Sequence, residues 1–546
     1  MRRLLPLLAV PISMALAGPS PASSVTVPDQ FTSIQAAIDG GADTVLVRYG
    51  TYPEALSITR VLALIALPTQ EGDRLKNLLP RVTRLRAQGS YPSGPALLVR
   101  GFEVTGGASV GGFHYVYLEG CRFDSSMTCN AGSFAHLWNS TVFGSADVVS
   151  IAADIAMNTI VGGTLSGYSA GAFDIHDNVV IGPAAVGIYG GEDVMVSRNY
   201  VKDCTNGIHA GYRFGSHLDG NVVEDCSGTG YDGTGTPLGG GNHITNNIAR
   251  RCGQRGFDLA AIGMYVVGNT VDSTGQEGIR GLSVFDELRD NTVTRAGSTG
   301  ISAQTVLHAV GNRVIGSGGD GMRFQGARDV QRNVVGRSGG RGLVVMSGLN
   351  NVRAVNNTSY LNLGSGFDIT GNAPDDSIVG NISHGNAVGL RWSGSGAPFL
   401  GCNDWYGNSG GNVIGVAEGA SDTTLNPLFC DLPNDDVSLS AVSALVNLPG
   451  CGQVGALGVG CSYPAAVEWR PGDAGLGLEA APQPGHGAIR LSWRAPEAPG
   501  EIAIYDAAGA LRWKRSFDAG AAATPWATTA LEGRPLPAGV YFAKLT

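Results

Sequence analysis

Along most of the chain, apolar and polar residues alternate in short bursts that carry a recurring punctuation. An Asn is followed two places on by an apolar residue and nine places on by a Gly, as in "NTVTRAGSTGISA" from Asn291, "NRVIGSGGDGMRF" from Asn312, "NVVGRSGGRGLVV" from Asn333 and "NTSYLNLGSGFDI" from Asn357. The marker Asn falls at 139, 158, 178, 199, 221, 247, 269, 291, 312, 333, 357 and 381, in steps of 19 to 26 residues, and Gly101 and Gly120 take the same place in two earlier turns. A Gly follows eight or nine residues after most of them, at 167, 187, 207, 230, 256, 278, 300, 321, 342, 366 and 389. Such a period marks a solenoid, in which each repeat is one unit that buries its apolar face only against its neighbours.

Composition chooses among solenoids. No Leu-x-x-Leu-x-Leu frame is present, and the repeats are too rich in Gly and β-branched residues for helices. "HAVGN", "YVVGN" and "RAVNN" read as strands that end in Asn. Asn tolerates the left-handed backbone of a tight corner, and its side chain can bond the Asn one coil above. Gly opens the next strand where a Cβ would obstruct the bend. The expected architecture is all-β: coils of short strands stacked into parallel sheets about 4.8 Å apart.

Strand alternation then assigns faces. The residue after each marker Gly is apolar and faces inward: Ile188, Ile208, Tyr231, Phe257, Ile279, Ile301, Met322, Leu343, Phe367 and Leu390. The next residue faces out, giving a column Tyr189, His209, Asp232, Asp258, Arg280, Ser302, Arg323, Val344, Asp368, Arg391. Four successive coils thus present His209, Asp232, Asp258 and Arg280 on one strip. Two carboxylates about 5 Å apart repel, so a proton, a cation or a neighbouring base must relieve them. Calcium takes carboxylate oxygens and would suit Asp232 and Asp258. Arg280 could clamp a sugar carboxylate in fork geometry, and His209 is the natural proton carrier. Asp232 and Asp258 could equally act as a hydrolytic carboxylate pair of the retaining spacing. Tyr189 and Arg323 extend the strip as substrate contacts, and Tyr212, Arg213 and His217 sit in a long insert, "AGYRFGSHLDG", beside it. The alternative is a solvated ladder, in which opposite charges on adjacent coils simply relieve one another. Cys204, Cys226 and Cys252 share one column with Thr274, Ala296 and Ser317 and read as small-residue packing, with room for one disulfide. His176 in "FDIHDN" reads as a loop residue.

The bulk numbers limit the function classes. The chain has 546 residues, 83 Gly, 15% charged residues and a net charge of −9, with no Lys/Arg block, which argues against a nucleic-acid partner. "MRRLLPLLAVPISMALAGPSPASS" has Arg2 and Arg3, an apolar run and an Ala15-Leu16-Ala17 cleavage pattern, so residues 1–24 are expected to be a secretory signal peptide. No later stretch is apolar enough to cross a bilayer. A secreted or cell-surface monomer is expected. Export permits disulfides. With nine Cys at least one stays unpaired within the chain, and Cys451–Cys461 and Cys402–Cys430 are expected as staples. There is no CxxC motif or zinc spacing.

From Val25 to about Cys461, or residue 465 at most, the Asn ladder and the "GI" strand starts resemble the right-handed parallel β-helix proteins of the pectin lyase-like fold. The opening "VPDQFTSIQAAIDGGADTVLVRYGTYPEAL" is similar to that family's first segment, with "FTSIQAAID" as an amphipathic helix (Ile34, Ala37, Ile38 inward) capping the open end. The resemblance implies a polysaccharide groove along the strip, and in the lyases calcium-binding carboxylates with a basic residue that removes the proton beside a sugar carboxylate. The activity is left open: the acid before the aromatic pair of methylesterases is absent from "STVFGSADVV", and the "NTD…DD" pattern of polygalacturonases is missing. Residues 466–546 alternate differently. "EIAIYDAAGALRW" and "LPAGVYFAKLT" read as a small Ig-like β-sandwich. They resemble the C-terminal sorting domain of the type IX secretion pathway and the Ig-like domain of hook-capping proteins, although the usual Pro-Asn-Pro start is "PQPG" at Pro482–Gly485. That resemblance implies export and sorting machinery as a partner.

Overall fold

The structure, a computed structural model, describes residues 23–67, 79–89, 96–168, 173–191, 194–211, 215–233, 241–346, 352–371, 375–462, 478–481, 489–493, 500–506, 511–518, 523–526 and 541–545. The expected signal peptide lies outside them up to residue 22. The chain divides into two compact units, the first ending at Pro464 and the second beginning at Ala465.

The first unit is an all-β, right-handed parallel β-solenoid. A typical coil contributes Thr159–Val161 to a first sheet, Leu165–Tyr168 to a second and Phe173–His176 to a third. Each strand pairs in parallel with its counterpart one coil on: Thr159 with Val179, Leu165 with Ile188, Phe173 with Val194. The inward column expected for the second sheet, Ile188 through Leu390, has 0% exposure at every position. Within it the rings of Tyr231 and Phe257 stack at 4.4 Å.

The Asn ladder differs from expectation in one detail. The ladder Asn is not itself left-handed; the residue before it is, as at Met157 (φ 57°), Asp177 (φ 55°), Arg198 (φ 54°) and Asp290 (φ 53°). Asn139 (φ 48°) is therefore a corner residue, as are Gly101 and Gly120, and Ser140 takes the ladder place by donating its N–H to Asn158 Oδ1 at 2.9 Å. From Asn178 onward each Oδ1 accepts both the backbone N–H and the Nδ2 of the Asn one coil earlier, for example from Asn269 to Asn291 at 3.0 Å each. The column is buried yet fully bonded, which is what makes an interior amide tolerable. The Gly column is set by proximity: a Cβ on Gly207 would stand 2.4 Å from Gly230 O. Gly167 does not belong to it. Leu165 pairs with Ile188, so Thr164 is the counterpart of Gly187.

The solenoid is capped at its start and covered along one side near its finish. At the start, Ile34–Asp39 forms a helix with Ser33 as N-cap and Ile34, Ala37 and Ile38 buried. At the finish, the segment around residues 423–461 folds back over the outer face of the first sheet, where Val334, Tyr360 and Ile382 pack against Phe429, Val437, Leu439, Leu445 and Val454. Tyr360 donates its hydroxyl to Asp435 at 3.0 Å, and Arg337 pairs with the same carboxylate at 2.6 Å. The disulfides are Cys402–Cys451 and Cys430–Cys461, which corrects the expected pairing. Cys430 and Cys461 lie on the two strands flanking Asp436–Ser440 in a small sheet, while Cys402 occupies a left-handed coil corner (φ 60°) beside the fold-back. The column of Cys204, Cys226 and Cys252 contains only buried free thiols.

The second unit contains two three-stranded antiparallel sheets. One is built from Leu478–Ala481, Ile489–Trp493 and Ala523–Trp526, the other from Leu511–Phe517, Gly500–Asp506 and Tyr541–Leu545. Pro482–Gly485 lies outside the described residues.

Candidate functional site

The outer column of the second sheet is assembled by register alone. Tyr189 pairs with His209, His209 with Asp232, Asp232 with Asp258 and Asp258 with Arg280. Arg323 follows two coils later, across Ser302. Tyr212 and Arg213, with much of the inserts beside them, lie outside the described residues.

The strip divides into two halves of different character. At its start, Tyr168, Tyr189 and His209 form a ladder of rings with centroids 4.9 Å apart, and His209 Nδ1 stands 3.3 Å from Asp232 Oδ2. Because each ring covers the next, the ladder turns ring edges outward: phenolic hydroxyls, an imidazole and a carboxylate, one coil apart. The other half is closed. Arg280 grips Asp258 in bidentate fashion at 2.8 and 2.7 Å, Arg255 lies 3.5 Å from the same carboxylate, and Arg255 also pairs with Glu277 at 2.9 Å. Asp258 is 6% exposed, so this is a nearly buried charge held by two guanidinium groups. The Asp258 pairing in turn holds the Arg280 guanidinium above its ordinary pKa.

That closure bears on the roles assigned from sequence. A calcium ion between Asp232 and Asp258 would have to displace Arg280, which already supplies the positive charge the pair requires, so these residues do not fit the ion. Among the described residues no group of three or more His, Cys, Asp or Glu side chains is arranged to hold a metal. Asp258 is equally poorly placed as half of a hydrolytic pair. Arg323 lies 3.8 Å from Asp320, whose carboxylate is taken more closely by Arg341 at 2.8 Å, leaving the Arg323 side chain 42% exposed and able to meet an anion.

An open depression of about 510 Å³ lies elsewhere, on the turns between the first and second sheets, lined by Pro183, Ala184, Asp203, Cys204, Asp225 and their neighbours. Burial pushes the Cys204 thiol there up to about 12, which makes it inert.

One chemically dense region escaped sequence reasoning. His176 is no loop residue: it ends a strand of the third sheet and bonds Asp154 through Nε2 at 3.1 Å and Asp177 through Nδ1 at 2.7 Å. The signal was "FDIHDN" itself, with two acids around a His in strand alternation.

Residues 104–284 match the family described as right handed beta helix region. No curated protein matches the chain. Among solved structures it is similar to the A-module of the mannuronan C-5 epimerase AlgE6 of Azotobacter vinelandii, at 14% identity over 72% of this chain and 92% of that one, with a TM-score of 0.18. It is also similar to the catalytic domain of a GH87 alpha-1,3-glucanase in complex with nigerose, at 13% identity over 75% of this chain and 69% of that one, with a TM-score of 0.19. At these values the likenesses carry no argument about the site.

Proposed function

We propose that this protein is an exported glycan-binding solenoid that lays an acidic polysaccharide along the outer face of its second sheet. The observation that carries the reading is the row Tyr168, Tyr189, His209, Asp232, with Arg280 and Arg323 further along. It presents hydrogen-bonding groups at the coil spacing of about 4.8 Å, comparable with one pyranose unit of an extended chain. The hydroxyls and imidazole engage sugar hydroxyl groups, and Arg323 meets a uronate. His209 with Asp232 is the pair through which the strip could move a proton, so lyase-like abstraction beside a sugar carboxylate is the processing step it supports best. Residues 466–546, read as an Ig-like sorting or anchoring module, would place the protein at the cell surface or outside it.

A second reading, a non-catalytic adhesive solenoid, is favoured by the closed Asp258–Arg280 pair, which leaves only half of the strip chemically open. One experiment separates the two. Binding of polygalacturonate and alginate oligosaccharides is titrated calorimetrically, alongside ultraviolet absorbance for unsaturated uronate product. Tyr189→Ala and Arg323→Ala should each weaken binding by roughly tenfold, about 1.4 kcal/mol. His209→Gln with binding retained and product lost supports the lyase; binding with no product in the wild type supports the adhesin. Absence of binding to every acidic oligosaccharide overturns both. Arg280→Ala is a poor test, because it removes the bidentate partner of a buried carboxylate, leaving it only Arg255 at 3.5 Å, and destabilises the fold by up to about 3–5 kcal/mol.

A further inference from the structure

The early coils of the third sheet carry a cluster that the reading above does not use. Register aligns Tyr117, His136, Asp154 and Asp174 in one outward column. The adjacent outward columns bring Tyr115, Phe134 and Ala152 to one side and Glu119, Trp138, Ala156 and His176 to the other. On its own strand Asp154 is therefore flanked by two alanines. Ala152 is partly exposed and Ala156 is buried, and the carboxylate lies between Phe134, His136 and Trp138 one coil below and Asp174 with His176 one coil above.

The aromatic wall differs from the ring ladders elsewhere on the solenoid. His217, His243 and Tyr265 stack at 4.8 Å with 9° between planes, so each covers its neighbour's face. Here the rings stand further apart and tilted: Tyr117 to Phe134 at 6.2 Å and 48°, Tyr117 to His136 at 5.9 Å and 49°, His136 to Trp138 at 6.1 Å and 41°. Rings so spaced and tilted do not cover one another's faces fully, and Tyr115 and Trp138 remain 44% and 39% exposed. Exposed aromatics grouped beside hydrogen-bonding groups mark a recognition surface.

The polar side is ordered as a chain of carboxylates bridged by imidazoles, with an arginine at each end. Arg100 bonds Glu119 at 2.7 Å, and Glu119 lies 3.9 Å from His136. His136 reaches Asp154 at 3.2 Å, Asp154 reaches His176 at 3.1 Å, His176 reaches Asp177 at 2.7 Å, and Asp177 is held by Arg198 at 2.7 Å. These contacts fix the Asp154 carboxylate in place while its oxygens keep lone pairs for a further donor. Its bond from His136 holds Asp154 below the ordinary carboxylate range, whereas burial pushes Asp174, one coil above, upward. The cluster thus offers an ionised acceptor beside a carboxyl group that more readily keeps its proton. With four carboxyl groups against Arg100 and Arg198, it repels anions.

We propose that this cradle is a second carbohydrate site, specific for uncharged sugars, in which a pyranose ring rests its apolar face on Trp138 and donates a hydroxyl to Asp154, with the remaining rings of the wall, out to Tyr115, available to neighbouring sugar units. Its selectivity is opposite to that of the second-sheet strip, where Arg323 is placed to meet an acidic chain. The inference stands on different residues from the proposed function and shares with it only the class of ligand.

The test is calorimetric titration of the full chain with neutral oligosaccharides (gluco-, manno-, galacto- and xylo-oligomers) and, in parallel, with polygalacturonate and alginate oligomers. Trp138→Ala and Asp154→Asn should each weaken binding of the neutral ligand by roughly tenfold or more while binding of acidic oligomers stays unchanged, with Trp138→Phe restoring part of the neutral affinity. Thermal melting of each variant confirms that the fold is retained, and Trp138, being on the surface, tolerates truncation. No neutral oligosaccharide bound by the wild type, or neutral binding indifferent to both variants, overturns the proposal. Neutral binding lost in Trp138→Ala with no acidic binding at all would sink the second-sheet reading and leave this one standing.

Discussion

Asp404 offers the most quantitative test of the structure. It lies beneath the fold-back with 0% exposure, and one oxygen accepts from Thr423 Oγ1 at 3.0 Å and Leu425 N–H at 2.7 Å, while Oδ2 has no partner. Burial dominates over these two bonds and raises its pKa from 3.8 to about 7. The acid therefore holds its proton more tightly in the folded state than in the unfolded chain. Its contribution to stability is complete below the unfolded pKa, declines as pH climbs, and has gone above about pH 7. A shift of about 3 units at 1.36 kcal/mol each amounts to about 4 kcal/mol, to order of magnitude. Asp404→Asn cannot ionise and is free of that decline, although its buried amide leaves a donor unpaired at a cost of about 1–3 kcal/mol. Guanidinium midpoints of wild type and variant are to be measured from pH 4.5 to 8.5. The variant should gain on the wild type from the acid end to the alkaline end and be the stronger protein there, the difference between them changing by about 3 kcal/mol over that range, because part of the decline already lies below pH 4.5. A difference that stays constant across that range would show that Asp404 is not a neutral acid in the fold, and the reasoning from its burial would fail.

Two further outcomes follow from the interior columns. Asn269→Ala removes Nδ2 bonds to Ile244 O and Asn291 Oδ1 and the acceptor for Asn247, so it should lower stability in denaturant by about 3 kcal/mol or more, whereas Ala at the exposed Asn130 should change it by less than about 0.5 kcal/mol. Burial pushes the Cys129, Cys204 and Cys252 thiols up to about 12 and those of Cys121 and Cys226 to about 11, so a thiol reagent at pH 8 should label none of them in the native protein and all five free cysteines after unfolding.

The solenoid itself was legible because a period of two within each strand and a recurrent Asn between coils are both local signals. The outward strip from Tyr189 to Arg280 follows in register from the marker Gly and strand alternation alone. What could not be read was contact geometry: that Arg280 would turn onto Asp258 instead of outward, closing the carboxylate to a metal. Nor was the fold-back visible, since Val334 and Ile382 look like any β-branched strand residues until the segment around Phe429 to Val454 covers them. Asn139 misled by one position because Asn suits a left-handed corner as well as a ladder. The third-sheet cluster was hidden for a different reason: His136, Asp154 and His176 lie 18 and 22 residues apart in two columns, and only an exact stacking register brings them together.

The ladder of asparagines also has an arrow. Every rung donates toward the next coil, Asn158 to Asn178 and so on to Asn381 and Asn403, so the amide dipoles line up head to tail through the interior, and each bond polarises its successor. The series ends on a side chain that accepts only, because Asp422 takes both the N–H and the Nδ2 of Asn403, along with Trp405 Nε1 and Gly419 N–H, and passes no amide bond on. The two termini of the stack are for that reason electrically unequal. A whole coil could be inserted anywhere in the middle without breaking the series, but an added coil at the far end would have to take over the carboxylate that now terminates it.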